Sequence, residues 1–347
     1  MKKLLVPLVV IAVVAALVLR EAERWRTFRW SVFLQQAMLV NGWLVLTALA
    51  LIYLALVLRS LRWKILLSPI KQTTVGRLVG PTLVGFAALA LLGRPGEFAR
   101  VYLIARRESL PVSSQFSIWM VERVLDLSTL GVLIGTALLV APSVRTLPHI
   151  KSLQDGFLTV LGLAVGLICV LVWASRWGEP AITKMTAPLA CFSPGLAARS
   201  ASAIAKFLYA IAVIQSKRAL LKLAGVSLLM WMMIAGAYFA TVHSFPVLAN
   251  MTVAKTLLLM GFSIIGSAAQ LPGAGGSQLM VVAVLVGVFG ASADVALSCG
   301  VMLWLTTHMA PVPAGLFLLR RYGLALRKLP SDGENLELSA GAIKNNG

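Results

Sequence analysis

The residues with the greatest capacity for chemistry are charged side chains beside long apolar stretches. One group is Arg94-Pro95-Gly96-Glu97 with Arg100. Pro95 and Gly96 predict a bend, and Glu97 and Arg100 share a face if a helix follows. Arginine is a planar, fork-shaped cation suited to phosphate. The group is therefore a candidate anion site, and the alternative is an interfacial loop whose arginines only set the membrane orientation.

A second group is Glu122-Arg123-x-x-Asp126, near the cytoplasmic end of a predicted span. On a helix, Glu122 and Asp126 lie one turn apart on one face, and Arg123 reaches Asp126. Two acids and one base leave one negative charge, which Arg94 or Arg100 could neutralise. A charge beside hydrocarbon costs about 3 kcal/mol on insertion scales, so a functional role is one reason to keep it. The alternative is a purely structural role, in which the helix dipole favours acidic residues in the first turn and an internal salt bridge stabilises the helix.

A third candidate is a turn rich in glycine, containing Pro272, Gly273, Gly275, Gly276 and Gln278. Its glycines permit positive φ angles and a close approach of backbone amides to an anionic or hydroxylated ligand. The alternative is a tight re-entrant turn without a ligand. The sequence contains no GxxxxGKS phosphate loop, so nucleotide hydrolysis has no support.

The sequence contains no recognisable set of catalytic residues. The histidines stand apart and form no HExxH motif: His149, His243 and His308. The cysteines form no CxxC pair: Cys169, Cys191 and Cys299. A carboxylate pair could transfer protons, but no nucleophile or metal partner accompanies it. We therefore predict a protein that is not an enzyme and that uses no cofactor or metal.

The composition excludes a water-soluble domain. Of the 347 residues, 59% are hydrophobic and 12% charged, and the mean hydropathy is +0.90. The formal net charge is +19, and most lysines and arginines, including Arg59 and Arg62, fall in loops predicted on one side of the membrane. This asymmetry follows the positive-inside rule and places both termini in the cytoplasm. The charge therefore predicts orientation, and nucleic acid is excluded as a partner.

The predicted fold is an all-α polytopic integral membrane protein with about six full transmembrane helices. The predicted spans are Leu4–Leu19, Leu39–Leu58, Trp119–Ala141, Phe157–Trp173, Leu220–Val242 and Val295–Leu319. Residues 1–328 are predicted to form one transmembrane domain, and residues 329–347 a polar cytoplasmic tail. The mixed basic and apolar segment Arg59 to Lys71 is expected to lie along the inner interface.

Two further apolar stretches, Val75–Gly93 and Leu257–Val288, are interrupted by glycine and proline. Irregular backbone at membrane depth requires protein or a watery cavity to satisfy its amides, so both are predicted to be re-entrant or kinked. The second leaves arms at Leu257–Leu271 and Ser277–Phe289. If both stretches spanned the membrane, the count would be eight. Interrupted segments in each half of a chain are typical of a transport site.

Together these motifs resemble the transmembrane, flippase-like domain family of the lysylphosphatidylglycerol synthases, over nearly the whole chain. The resemblance rests on Arg62-Trp63, Gly93 to Glu97 with Arg100, Glu122-Arg123 with Asp126, and the turn at 272–278 followed by Trp304 and Gly315. Where many relatives carry a glutamate after the glycine turn, this sequence has Gln278. The soluble aminoacyltransferase domain of the full-length synthases has no counterpart in this sequence, so lysyl transfer is not implied.

The resemblance implies a lipid-handling protein of the bacterial inner membrane. Arg94 and Arg100 would hold the phosphate of an anionic phospholipid, while Glu97, Glu122 and Asp126 would position the arginines and receive a cationic headgroup. Two alternatives stay open: an ion-coupled transporter of small solutes, and a non-catalytic scaffold for a lipid or glycan synthase. The sequence allows two kinds of protein partner, which are a second copy of the chain and a lipid or glycan synthase.

Overall fold

The computed structural model describes residues 30–145, 217–268 and 275–321, with scattered positions between 151 and 201. Within these residues the chain is helical and contains no strand. The predicted span Leu4–Leu19 and the tail at 329–347 lie outside the described residues. The predicted span Phe157–Trp173 does so as well, apart from single positions.

Ten α-helices occur in the described part, and we number them in chain order. They are α1 Trp30–Met38, α2 Gly42–Leu67, α3 Val75–Leu92, α4 Arg94–Glu108, α5 Val112–Val140, α6 Lys217–His243, α7 Val253–Ala268, α8 Gly275–Gly287, α9 Ala293–Trp304 and α10 Pro311–Arg321. A π turn, Leu305–Met309, joins α9 to α10. Five described segments are long and apolar enough to cross a membrane: α2, α3, α5, α6 and the continuous stretch Ala293–Arg320. The prediction of an all-α membrane protein is confirmed.

Helix α2 begins after Asn41, whose side chain accepts a hydrogen bond from the backbone N–H of Trp43 and so caps the helix. It continues past the predicted end at Leu58 to Leu67. Arg59 and the residues up to Leu67 are therefore part of a spanning helix and are directed into the protein. The expectation that Arg59 to Lys71 forms an interfacial segment is wrong for most of its length.

Helices α3 and α4 form a hairpin. The chain turns at Gly93, whose φ of 71° lies in the left-handed region that favours glycine. Pro81 lies inside α3 without ending it, so the bend comes twelve residues later than proline alone would indicate. At Gly96 the two helices are so close that an added Cβ would collide with the backbone of Ala88. The hairpin returns to the end of the bundle from which it started, where Arg77 Nε lies 2.8 Å from Glu108 Oε1.

Helices α7 and α8 pack against each other as a second pair, with residues 269–274 between them outside the described residues. A Cβ added to Gly266 would lie 2.5 Å from the carbonyl oxygen of Gly276, so the two backbones approach closely where α8 begins. Both helices are shorter than a span, as the broken apolar stretch predicts. The pair begins beside the end of α5, where Ser143 Oγ and Thr252 Oγ1 are 2.9 Å apart.

The two hairpins enter the bundle from opposite ends. Helices α2 and α6 pack against each other, and the N–H of Asn41 donates to the carbonyl of Ser244 at 3.0 Å, which puts the start of α2 beside the end of α6. The first hairpin starts where α2 ends, and the second starts where α2 begins. The order of span, hairpin and span therefore occurs twice with opposite orientation, in α2 to α5 and in α6 to α10. Transporters built from inverted repeats share this arrangement.

Candidate functional site

Seven charged side chains from α2, α4 and α5 form one network, which we call the ionic cluster. Its members are Arg59, Arg62, Glu97, Arg100, Glu122, Arg123 and Asp126. Glu122 lies ten residues after the start of α5 at Val112, which is roughly 15 Å along the helix axis. Glu122 therefore lies further from the start of its helix than the sequence predicted, because α5 begins seven residues before Trp119.

Glu122 is the centre of the cluster, with a side chain that is only 1% exposed. Its Oε1 lies 2.6 Å from Arg59 Nη1 and 2.8 Å from Arg62 Nη2. Its Oε2 lies 2.7 Å from Arg100 Nη2. These charge-assisted hydrogen bonds join two segments of the chain, α2 and α4, to α5. The expectation that Arg100 neutralises the acidic group is met by this geometry.

Asp126 adds a fourth helix to the network. It accepts hydrogen bonds from Arg62 Nη1 at 2.7 Å, from Arg59 Nη1 at 3.2 Å and from Trp231 Nε1 on α6 at 3.1 Å. Arg123 Nη2 lies 3.2 Å from its Oδ2, which is the i, i+3 contact that the sequence predicts. All oxygens of Asp126 and Glu122 therefore accept hydrogen bonds from cations or from Trp231.

The cluster has one open edge, at Arg123 and Glu97. The Arg123 side chain is 40% exposed and Glu97 is 18% exposed, whereas the other members are buried. Arg123 Nη1 lies 3.2 Å from Glu97 Oε1, and its guanidinium carbon lies 5.9 Å from the centre of the Trp119 ring. A ligand that reaches the cluster would meet Arg123 first.

Aromatic rings hold the buried guanidinium groups. The Arg100 guanidinium carbon lies 4.4 Å from the centre of the Trp63 ring and 5.3 Å from that of Phe86, and Arg59 lies 5.0 Å from Phe86. Trp63 is fixed in turn by donating from Nε1 to Gln115 Oε1 at 3.2 Å. Because desolvated cation–π contacts are attractive, these rings orient the arginines independently of the carboxylates.

The charges of the cluster do not balance. Four arginines face three carboxylates, so the described side chains leave one excess positive charge. Six of the seven side chains are at most 18% exposed, so water solvates little of this charge and a counter-anion would be favoured. The helix α4 begins at Arg94, but the side chain of Arg94 lies outside the described residues, so its predicted contact with phosphate stays a prediction.

A family model for the lysylphosphatidylglycerol synthase transmembrane region matches residues 4–315 of the chain. The chain belongs to this family. No curated protein and no solved structure matches it. The match covers the whole ionic cluster and both hairpins. Together with the apolar helices, it shows that this member of the lysylphosphatidylglycerol synthase transmembrane family is a lipid-related, multi-pass membrane protein.

Sequence reasoning left Arg59 and Arg62 out of the candidate site of this family member, although Arg62 was part of a family motif. Both were assigned to inner loops as orientation signals, yet the structure buries them against Glu122 and Asp126. Their spacing of i, i+3 is helical, and the apolar pattern continues beyond them to Leu67. An extension of the predicted span by two turns would have brought both arginines into the membrane and revealed them as candidates.

The predicted glycine turn is described only from Gly275 onward. Pro272 and Gly273 are outside the described residues, while Gly275 and Gly276 begin α8. Gln278 is buried, and its Nε2 has no hydrogen-bond partner in the described part of the chain. No contact described by the structure joins this first turn of α8 to the arginines, so its ligand contact stays a prediction.

Proposed function

We propose that the protein binds the headgroup of an anionic or modified phospholipid in the ionic cluster and moves the lipid between leaflets. The observation that carries this proposal is the excess positive charge of a buried cluster halfway along α5, with Arg123 at its open edge. An anionic headgroup would complete the charge balance at a depth where water cannot. The carboxylates are all bonded to arginines, which supports a role in binding and not in proton transfer.

The inverted order of spans and hairpins supports a transport role. Arg100 and Glu97 belong to the first hairpin, while their partners Glu122 and Arg123 belong to the spanning helix α5. Movement of the hairpin relative to α5 would therefore open the cluster and could present it to either end of the bundle. We place the end with Arg77 and Glu108 in the cytoplasm of a bacterium, because basic residues concentrate there.

The proposal predicts that Arg123→Gln slows lipid movement at least tenfold. The substitution removes the exposed cation, and hydrogen bonds to charged groups contribute about 1.5–3 kcal/mol. The protein would be reconstituted into liposomes with fluorescent phosphatidylglycerol, and the outward headgroups would be quenched with dithionite. Arg320→Gln is the matched control because Arg320 is an exposed arginine at the end of α10, and we expect it to move lipid at the wild-type rate.

Equal rates for wild type, Arg123→Gln and liposomes without protein would contradict a lipid translocator. Uptake of a small solute that depends on an ion gradient and is indifferent to lipid composition would favour the ion-coupled transporter. Co-purification of a lipid or glycan synthase, with tolerance of substitutions in the ionic cluster, would favour the scaffold.

A further inference from the structure

The last span is interrupted near its centre by the π turn Leu305–Met309, which carries the ionisable side chain of His308. Pro311 has no N–H, so it cannot donate the α-helical hydrogen bond to the carbonyl of Thr307, and the helix widens there. Widened turns inside helices frequently occur at functional sites. An ionisable side chain inside a span is costly to retain and is itself a functional candidate. His308 lies outside the ionic cluster, and the proposed headgroup binding does not use it.

His308 ends a chain of hydrogen-bonded side chains that crosses three helical elements. Its Nδ1 lies 2.8 Å from Thr307 Oγ1. The Thr307 side chain also bonds to the hydroxyl of Tyr238 on α6, and Tyr238 Oη lies 2.9 Å from Ser263 Oγ on α7. We call these four residues the His308 chain. It connects the last span, through α6, to the second hairpin.

The hydrogens along the His308 chain identify the atom that is free to take a proton. Thr307 has one hydroxyl hydrogen, and its Oγ1 lies 2.6 Å from the carbonyl oxygen of Leu303, which can only accept. That hydrogen is therefore donated to Leu303, and His308 Nδ1 must carry a hydrogen and donate it to Thr307. Neutral imidazole carries a hydrogen on only one ring nitrogen, so the hydrogen-bond pattern assigns Nε2 as the proton acceptor.

The surroundings of His308 supply no counter-charge. The π turn packs against α2, α3, α6 and α9, and near it α3 contributes apolar side chains, Leu83 and Phe86. The other three helices carry the titratable side chains nearest to the turn, which are Tyr53 on α2, Tyr238 and His243 on α6, and Asp294 and Cys299 on α9. In the described part of the chain, no charged group interacts with His308. A proton on His308 would therefore place an uncompensated charge in the span and favour a different arrangement of the helices.

Helix α6 connects the His308 chain to the ionic cluster. Tyr238 follows Trp231 by seven residues, which is two helical turns, so the two rings lie on the same face of α6. Both side chains are buried in the same apolar core, and Trp231 Nε1 donates to Asp126 Oδ1 at 3.1 Å. A movement of α6 that accompanies protonation of His308 would therefore change the contacts of Asp126.

We propose that His308 Nε2 binds a proton from water on one side of the membrane, and that release of this proton on the other side drives lipid movement. The inference rests on the proposed function and adds its energy source. Proton binding converts neutral imidazole to imidazolium and breaks no other bond, and proton release restores the neutral ring. Tyr238 passes the change to the second hairpin through Ser263 and to the ionic cluster through α6. The carboxylates that arginines hold in the cluster keep their charge throughout.

Proton binding is tested on the purified full chain without any transport step. In the double variant His149→Gln with His243→Gln, His308 is the only histidine left. This variant would be purified without a polyhistidine tag, labelled with 15N-histidine and titrated by NMR from about pH 8 to about pH 4. We expect Nδ1 to carry a hydrogen throughout and Nε2 to gain one as the pH falls. A hydrogen on Nε2 at the start, or no gain over this range, would overturn the inference.

Coupling is tested in liposomes that contain fluorescent phosphatidylglycerol and hold a difference of about one pH unit across the membrane. Potassium with valinomycin would clamp the membrane potential, and dithionite would report the ratio of the lipid between leaflets. One proton per lipid shifts this ratio by up to about tenfold per pH unit. We expect the wild type to shift the ratio in a direction that reverses with the gradient, and His308→Gln to leave it even.

Two further variants make this test specific. Tyr238→Phe keeps the ring and removes one hydroxyl of the His308 chain, so we expect a smaller shift than in the wild type. It also keeps the inference testable if His308→Gln does not fold. His243→Gln is the matched control, because the His243 ring bonds to the carbonyl of Phe239 on its own helix, and it should respond like the wild type.

The outcomes separate the inference from the proposed function. Lipid movement by the wild type with an even ratio under either gradient would overturn the proton coupling and leave the translocator. A shift in His308→Gln as large as in the wild type would overturn the role of His308 in the same way. Failure of the wild type to move lipid under any gradient would contradict the proposed function and the coupling, and only the proton site would stand, on the NMR titration.

Discussion

Glu122→Gln is expected to lower the free energy of unfolding by about 3–5 kcal/mol, the range for removal of one partner from a buried ion pair. Glu122 receives hydrogen bonds from Arg59, Arg62 and Arg100 and is almost completely buried. After the substitution, two carboxylates would face four arginines. Equilibrium unfolding in mixed micelles with increasing denaturing detergent would measure the loss.

The matched control is Glu97→Gln, the same chemical change in the same cluster. Among the side chains that the structure describes, Glu97 bonds only to Arg123, at the exposed edge, so we expect a loss of about 1 kcal/mol or less. Equal losses for the two variants would contradict the central position of Glu122. A loss below about 1 kcal/mol for Glu122→Gln would show that water reaches the buried arginines.

A second substitution is expected to restore part of this stability. Adding Arg100→Met to Glu122→Gln removes a cation whose hydrogen bonds with residue 122 have lost their anionic acceptor. Three arginines would then face two carboxylates, which returns the excess to the single charge of the wild type. Methionine also fills the space beside Trp63 and Phe86 with an apolar side chain. Neighbouring residues in one ionic network couple by about 0.5–3 kcal/mol, so we expect the double variant to be more stable than Glu122→Gln by roughly 1–3 kcal/mol.

The control for this rescue is Lys222→Met in the Glu122→Gln background. Lys222 is an exposed cation on α6 outside the cluster, and its removal should restore nothing. Arg100→Met could instead lower the stability of the Glu122→Gln variant further. Contacts other than those with Glu122 would then be the ones through which Arg100 stabilises the protein, and the charge balance would not determine the stability of the cluster.

Local features of the fold could be predicted from the sequence. The apolar stretches have the length of spans, and glycine and proline mark the two hairpins, because both signals act within a few residues. The contact from Arg123 to Asp126 follows from helical spacing alone. Even here the position of the bend depends on packing, since Pro81 is accommodated inside α3 and the turn is made at Gly93.

The contacts of α2 with α5 could not be predicted. Arg59 and Arg62 look like loop cations in the sequence, and only the packing of α2 against α5 shows that they bind Glu122 and Asp126. The inverted order of spans and hairpins was also not visible, because it is encoded in hydropathy and bends without a repeated sequence.

The most direct test of the account is an experimental structure of the protein in nanodiscs that contain phosphatidylglycerol, at a resolution that shows lipid headgroups. The account predicts density for one phosphate at the open edge of the ionic cluster, within hydrogen-bond distance of the Arg123 guanidinium, with Glu122 still bound by Arg59, Arg62 and Arg100. A headgroup bound only at the first turn of α8, or only at the outer surface of the bundle, with the open edge of the ionic cluster empty, would contradict it.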